Sequence, residues 1–130
     1  MRRVVLDTNI LVSVLWSDNG NPYSIVELFF RHKIEVLYNA EIMEEYADVL
    51  GRTKLGFSNQ RVLLLLQEIE KHGVPAIADQ SEAPFTDEDD KVFYDVAKAY
   101  GAVLITGNKR HFPDEPFIMT PAEFLADQRD

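Results

Sequence analysis

The sequence contains no cysteine. That absence removes disulfides, zinc–thiolate sites, iron–sulfur clusters and cysteine nucleophiles together, and leaves the redox compartment undetermined. Histidine is scarce as well, with three in 130 residues. A histidine-built metal site is therefore disfavoured, and any metal must be held by oxygen, which suits Mg²⁺ or Mn²⁺. No apolar stretch reaches the roughly 20 residues that span a bilayer, and "MRR" is followed by only a few apolar residues. The expectation is a chain without membrane association or a targeting segment, placed in the cytoplasm. Basic residues are outnumbered, 13 against 22 acidic, for a net charge of −9. Such a charge serves solubility and argues against a passive nucleic-acid binder, which needs a basic face. It leaves room for an enzyme whose acids gather around cations.

What is present is a chain of 130 residues with 46% apolar content, enough for one domain with a real core. No internal repeat, low-complexity segment or long linker divides it, so residues 1–130 read as a single domain. Five short apolar runs predict strands at Val4–Leu6, Ile34–Tyr38, Pro75–Ala78, Ala102–Thr106 and Phe117–Met119. Helical patterns fall between them. The first opens at Pro22, the second runs from a cap at Asn39 to Gly51, and the third from Ser58 to Gly73. A fourth follows "TDEDD" and stops at Gly101, and a short fifth begins at Thr120–Pro121. Strands alternating with helices indicate an α/β layer fold with a mostly parallel sheet. In such sheets, sites collect beyond the carboxyl ends of the strands, where strand order reverses.

Asp7 closes the first strand in "VVLDTNILVS". It is equally suited to capping the following turn and to chemistry at a strand tip. A phosphotransfer role is discounted, because the second acid usual two residues on is here Asn9. In "EIMEEYADVL", steps of 100° put Ile42, Tyr46, Val49 and Leu50 on one apolar face. Glu44 lies opposite that face, whereas Glu45 lies at its edge, where a carboxylate either extends to water or needs a partner. "TDEDDKVFYDVAKAYG" carries acids at 87, 88, 89 and 90. Helix starts favour acids, and Thr86 and Asp87 are the cap candidates. Asp90 shares a ridge with Phe93 and Ala97 and borders the buried face, while Asp95 falls on the polar side. The strand Ala102–Thr106 ends in Thr106–Gly107–Asn108, residue types that turns use constantly. Each signal is weak alone. Together they place carboxylates at the same end of such a sheet, where like charges repel unless a cation neutralises them. A divalent ion there would polarise a phosphoryl oxygen and acidify water.

With these stretches in view the chain resembles a PIN domain. The matching residues are "VVLDTNILVS", "GNP" near Gly20, "EIMEEYADVL" and "TDEDDKVFYDVAKAYGAVLITGNKRHF", in the correct order over nearly the whole chain. It is similar in particular to the bacterial and archaeal PIN proteins described as toxins of toxin–antitoxin pairs, VapC-like in the broad sense. The resemblance implies a three-layer α/β/α fold with a central five-stranded sheet in the order 3-2-1-4-5. It carries the family's metal-binding, catalytic acids onto Asp7, Glu45 and Asp90. It carries supporting polar positions onto Asn9, which steadies the first acid, and onto Thr106. A fourth acid is common two residues after that threonine; here the position is Asn108.

The implied activity is a Mg²⁺- or Mn²⁺-dependent endoribonuclease, the toxin of a pair. Its RNA would meet Lys109, Arg110 and His111 beyond the fourth strand and Arg52 and Lys54 after the second helix. The implied partners are a cognate antitoxin and a second copy in a homodimer, with Trp16 and Phe57 as exposed apolar candidates. The alternative is a catalytically weak PIN scaffold that acts as a protein-binding module. A structure-specific DNA nuclease is disfavoured, because the short domain has no DNA-gripping extension.

Overall fold

In a computed structural model of the chain, residues 1–78, 85 and 88–128 are described. The cap candidates Thr86 and Asp87 lie outside them. Five strands, β1 (Arg2–Leu6), β2 (Ile34–Tyr38), β3 (Val74–Pro75), β4 (Val103–Ile105) and β5 (Ile118–Met119), form one sheet in the order β3-β2-β1-β4-β5. Every pairing is parallel. β1 takes the centre because its "VVL" can be buried on both faces: Val4, Val5 and Leu6 point alternately to opposite sides, and all are buried. The same holds for Leu104 and Ile105 of β4. Helices therefore cover both faces, and the α/β/α reading with its strand order stands.

Among the described residues, six α-helices connect and flank the strands: α1 (Thr8–Trp16), α2 (Asn21–Phe30), α3 (Ala40–Leu50), α4 (Asn59–His72), α5 (Glu88–Tyr100) and α6 (Pro121–Gln128). Three starts use the expected caps. Asn39 accepts from the Ile42 N–H at 2.8 Å, and Ser58 from the Arg61 N–H at 3.4 Å. Thr120 and Glu123 bond each other's backbone N–H, a reciprocal capping box. Those backbone bonds, with Lys109 beside it, hold the Glu123 carboxyl below its ordinary range.

Three sequence expectations need correction. The sequence pattern gives no helix before Pro22, yet α1 begins directly after Asp7. Its β-branched "NILVSV" has modest helix propensity, and burial of Ile10, Leu11 and Leu15 overrides that preference. Asp95 was expected on a polar face and is 7% exposed. Residues 93–97 of α5 are buried in succession, because this helix lies against β1 and β4 on one side and α3 on another. A helix covered on more than one side has no simple polar stripe. Phe57 is also more covered than expected, with its ring meeting the edge of Trp16 at 5.8 Å; Trp16 itself is 66% exposed.

The passage from α4 to β3 requires a residue without a side chain. A Cβ on Gly73 would sit 2.4 Å from the Ile69 carbonyl oxygen and 2.8 Å from that of Val36. Both are backbone atoms with no freedom to swing aside. Gly73→Ala should therefore cost about 1–3 kcal/mol, read as a lower urea midpoint with unchanged slope.

Candidate active site

Asp7 leaves β1 in an extended conformation and occupies the position before α1, where a side chain ordinarily accepts a first-turn N–H. It makes no such cap bond. Its backbone N–H donates to the Ile105 carbonyl at 3.0 Å, continuing the β1–β4 ladder by one residue. Its Oδ2 accepts the Thr106 hydroxyl at 2.7 Å. Of the two roles left open by the sequence, the carboxylate is turned to the strand tips rather than spent on the helix. Asp7 is 6% exposed and Thr106 fully buried, so this charge-assisted bond offsets part of a large desolvation cost.

The hydroxyl is itself oriented. The Asn108 backbone N–H donates into Thr106 Oγ1 at 3.0 Å, which leaves the hydroxyl proton to point at Asp7. Asn9 Oδ1 accepts the Gly107 N–H at 3.2 Å and fastens the turn that carries Thr106. Asn9 thus touches the turn, and through it Thr106, which in turn holds Asp7.

The other two acids come from α3 and α5. Tyr46, fully buried, donates its hydroxyl to the Leu6 carbonyl at 2.6 Å and so pins α3 to the last residue of β1. Burial first, and the negative charge of Asp7 second, push its phenol well above the ordinary range. Tyr46 also stacks on Phe93 of α5, with centroids 5.8 Å apart. This aromatic pair brings the neighbours of each ring to one end of the sheet. Glu45 is half-buried and Glu44 exposed, as the helix phase required. Asp90, one turn before Phe93, keeps 17% of its side-chain exposure and faces His111 Nδ1 at 3.6 Å. The acid next to it, Asp89, is exposed. It lines a cleft of about 620 Å³ together with Glu41, Glu44, Glu45 and Asp48.

Among the expected RNA-contacting residues, Lys109 pairs with Glu123 at 3.2 Å and Arg52 with Asp48 at 3.3 Å. Both are surface pairs of the weak kind that exchange readily. Arg110 and Lys54 are exposed. His111, expected at RNA, is tied instead to Asn108 (Nδ2 to Nε2, 2.9 Å) and Asp90. Tyr46 was read in the sequence only as part of an apolar face. A tyrosine on a fully buried ridge is the signal that its hydroxyl needs a partner.

The acids at this end offer hard oxygen donors, with the His111 imidazole beside Asp90. Among the described residues, however, no three His, Asp or Glu side chains form a group that could hold a metal ion. The arrangement fits an ion that keeps several waters and takes one or two carboxylates, and does not fit a closed protein cage.

The comparisons with known proteins bear on this geometry. A family model described as "PIN domain" matches residues 3–110, a span that includes Asp7, Glu45, Asp90, Thr106 and Asn108. The chain belongs to the PIN domain family. It is also 33% identical over 111 residues to the uncharacterized protein MJ1680 of Methanocaldococcus jannaschii, covering 82% of this chain and 71% of that one. PIN domains are generally nucleases and typically use divalent metals. In this PIN domain the sheet order places β1 beside β4, so Asp7 and Thr106 meet although 99 residues separate them. No helix among the described residues is long and apolar enough to cross a membrane.

The Asp7–Thr106 bond gives a direct test. Thr106→Val keeps the shape and removes the donor, so the metal-free PIN domain should lose about 1.5–3 kcal/mol near neutral pH. Thr106→Ser should restore most of it. Urea denaturation of the three proteins measures the difference.

Proposed function

We propose that this PIN domain is a divalent-metal-dependent endoribonuclease that hydrolyses RNA phosphodiester bonds, the toxin of a toxin–antitoxin pair in the cytoplasm. The observation that carries the reading is Asp7: a buried carboxylate at the central strand tip, not used as a helix cap, and held by the neighbouring strand's threonine. A fold does not retain so costly a charge for capping that it does not perform.

Asp7, Glu45 and Asp90 would hold a Mg²⁺ or Mn²⁺ ion, directly or through water. When bound, the ion supplies polarisation of the phosphoryl oxygen and acidification of water. The chain's own contribution is positional. Thr106 fixes the Asp7 rotamer, Asn9 fixes the turn that carries Thr106, and Tyr46 fixes α3 so that Glu45 stands at the rim. Lys109 and Arg110 follow the turn that carries Thr106, Arg52 and Lys54 follow α3, and RNA phosphate would draw Lys109 and Arg52 out of their weak surface pairs. A cognate antitoxin and a homodimer are proposed on the family likeness.

A second reading, a PIN scaffold with weak catalysis that serves to bind protein, draws on two observations. The net charge is −9, and the Asn108 side chain is engaged with His111. Purified protein incubated with structured and unstructured RNA in Mg²⁺, Mn²⁺ or chelator separates the two. Cleavage should require metal, and Asp7→Asn should abolish both the cleavage and the rise in melting temperature that binding to the folded state produces. Absent cleavage favours the scaffold, and metal-independent cleavage overturns the metal requirement.

The two neighbouring glutamates should behave differently. Glu45→Gln should reduce cleavage by about a hundredfold or more, the scale of a lost contact to a charge-stabilising ion. Glu44→Gln, on the exposed side of α3, should leave it near wild type. Equal losses would exclude Glu45 as the residue that serves the ion.

A further inference from the structure

Asn108 stands where an acid is common in the family, and its amide faces an imidazole rather than the Asp7 carboxylate. We propose that Asn108 and His111 form a strut between the β4 turn and the start of α5, and that His111 is a positioning residue for Asp90. The inference rests on the nuclease reading for what Asp90 does, and on the geometry for where it stands.

The contacts run in one chain. Thr106 donates to Asp7 at 2.7 Å, and the Asn108 backbone N–H donates to Thr106 at 3.0 Å. The Asn108 Nδ2 meets His111 Nε2 at 2.9 Å, and His111 Nδ1 faces Asp90 Oδ2 at 3.6 Å. Residues 106–111 therefore link an acid on β1 to an acid on α5, two elements far apart in sequence. The short 3₁₀ turn Lys109–His111 makes the span feasible, because the His111 N–H bonds the Asn108 carbonyl at 3.1 Å and folds the ring back over its own turn.

Donor chemistry selects one form of the ring. With the amide nitrogen of Asn108 facing Nε2, the tautomer that fits accepts there and carries its proton on Nδ1, facing the carboxylate. The opposite tautomer would set two donors against each other at 2.9 Å and a lone pair against an anion at 3.6 Å. An acid at position 108 would bring a further negative charge close to Asp7 and Asp90. The amide–imidazole pair joins the same elements without one. Nε2 is within hydrogen-bond reach of Asn108 and Nδ1 faces Asp90 at 3.6 Å, so contact with an RNA phosphate would turn the ring away from one of these neighbours, although its side chain is 57% exposed.

Two measurements on the full chain test the strut. In ¹⁵N ring spectra of metal-free protein at alkaline pH, with His111→Gln assigning the signal, His111 should be the Nδ1–H tautomer. An Nε2–H ring would overturn the proposal. Calorimetric titration of Mn²⁺ without RNA should show affinity weakened about 10–100-fold in His111→Ala, the usual effect of removing an outer partner of a ligand. His111→Gln, whose amide can still donate to Asp90, should recover part of it. RNA KM and its salt dependence should stay at wild-type values while kcat falls at limiting Mn²⁺. Unchanged Mn²⁺ affinity in His111→Ala, or a change confined to KM and salt dependence, would overturn the strut in favour of a phosphate contact. Asp90→Asn keeps the two failures apart. Full Mn²⁺ affinity there overturns the metal reading of Asp90, whereas loss there with none in His111→Ala overturns the strut alone.

Discussion

The structure turns on one hydrogen bond, from the Thr106 hydroxyl to the buried carboxylate of Asp7. An ionised carboxylate removed from water is costly unless charge-assisted hydrogen bonds replace its hydration. Here the donor comes from the adjacent strand, so it exists only if β1 and β4 pair in the observed register, with Leu6 opposite Ile105. A slip of one residue would turn Thr106 to the other face and leave Asp7 buried without it. The sheet order that makes β1 and β4 neighbours is thus required by the site as much as by the core. The crossover that follows β3 is what creates the reversal of strand order at which ligands bind in sheets of this kind.

From Asp7 outward the acids are graded in exposure. Asp7 is buried, Asp90 and Glu45 are half-buried, and Glu44 and Asp89 are exposed. This grading limits mutual repulsion, because each added charge sits in a region of higher effective dielectric than the last. It also explains how acids from separate elements share one end of the sheet without meeting as a three-ligand group. The Tyr46–Phe93 stack holds α3 and α5 by apolar contact below the charges, leaving the carboxylates at the rim where water solvates them. Rigidity comes from the aromatic layer, and the charged layer above it retains freedom to adjust.

Much of this was legible in the sequence, for reasons that differ by element. β2 was read to both of its bounds, because Ile34–Tyr38 is an apolar run between clear breaks. Glu45 was separated from Glu44 by helix phase alone, since α3 is covered on one side and its amphipathic pattern is clean. The same reasoning failed at Asp95, because α5 is covered on more than one side and phase no longer marks solvent. α1 was missed because "VVLDTNILVS" is apolar on both sides of the acid, and the local pattern does not show that the chain turns at Asp7. Strand ends at β3, β4 and β5 were read too long, for pairing stops where the partner strand stops, which is a property of two segments. The contacts of His111 were beyond reach for a related reason: a histidine in "GNKRHF" looks like one more surface cation until the turn that folds it back is known.

If the proposed nuclease reading holds, the net charge of −9 constrains how such a site would meet RNA. A domain of this sign gains little from long-range attraction and cannot rely on counterion release over a broad basic face. Two of its cations near the site, Lys109 and Arg52, are already paired with Glu123 and Asp48. Phosphate binding would therefore replace an existing carboxylate partner, and the net gain per contact is small. Affinity in this setting must come from few, well-positioned contacts at the strand tips, where a divalent ion would contribute the positive charge that the protein surface lacks. The same deficit gives a basic partner segment an advantage over RNA, because it can pair with the acids lining the α3–α5 cleft without an ion between them. Metal and basic protein would then compete at Glu45, the one carboxylate common to the cleft and to the acids proposed for the ion.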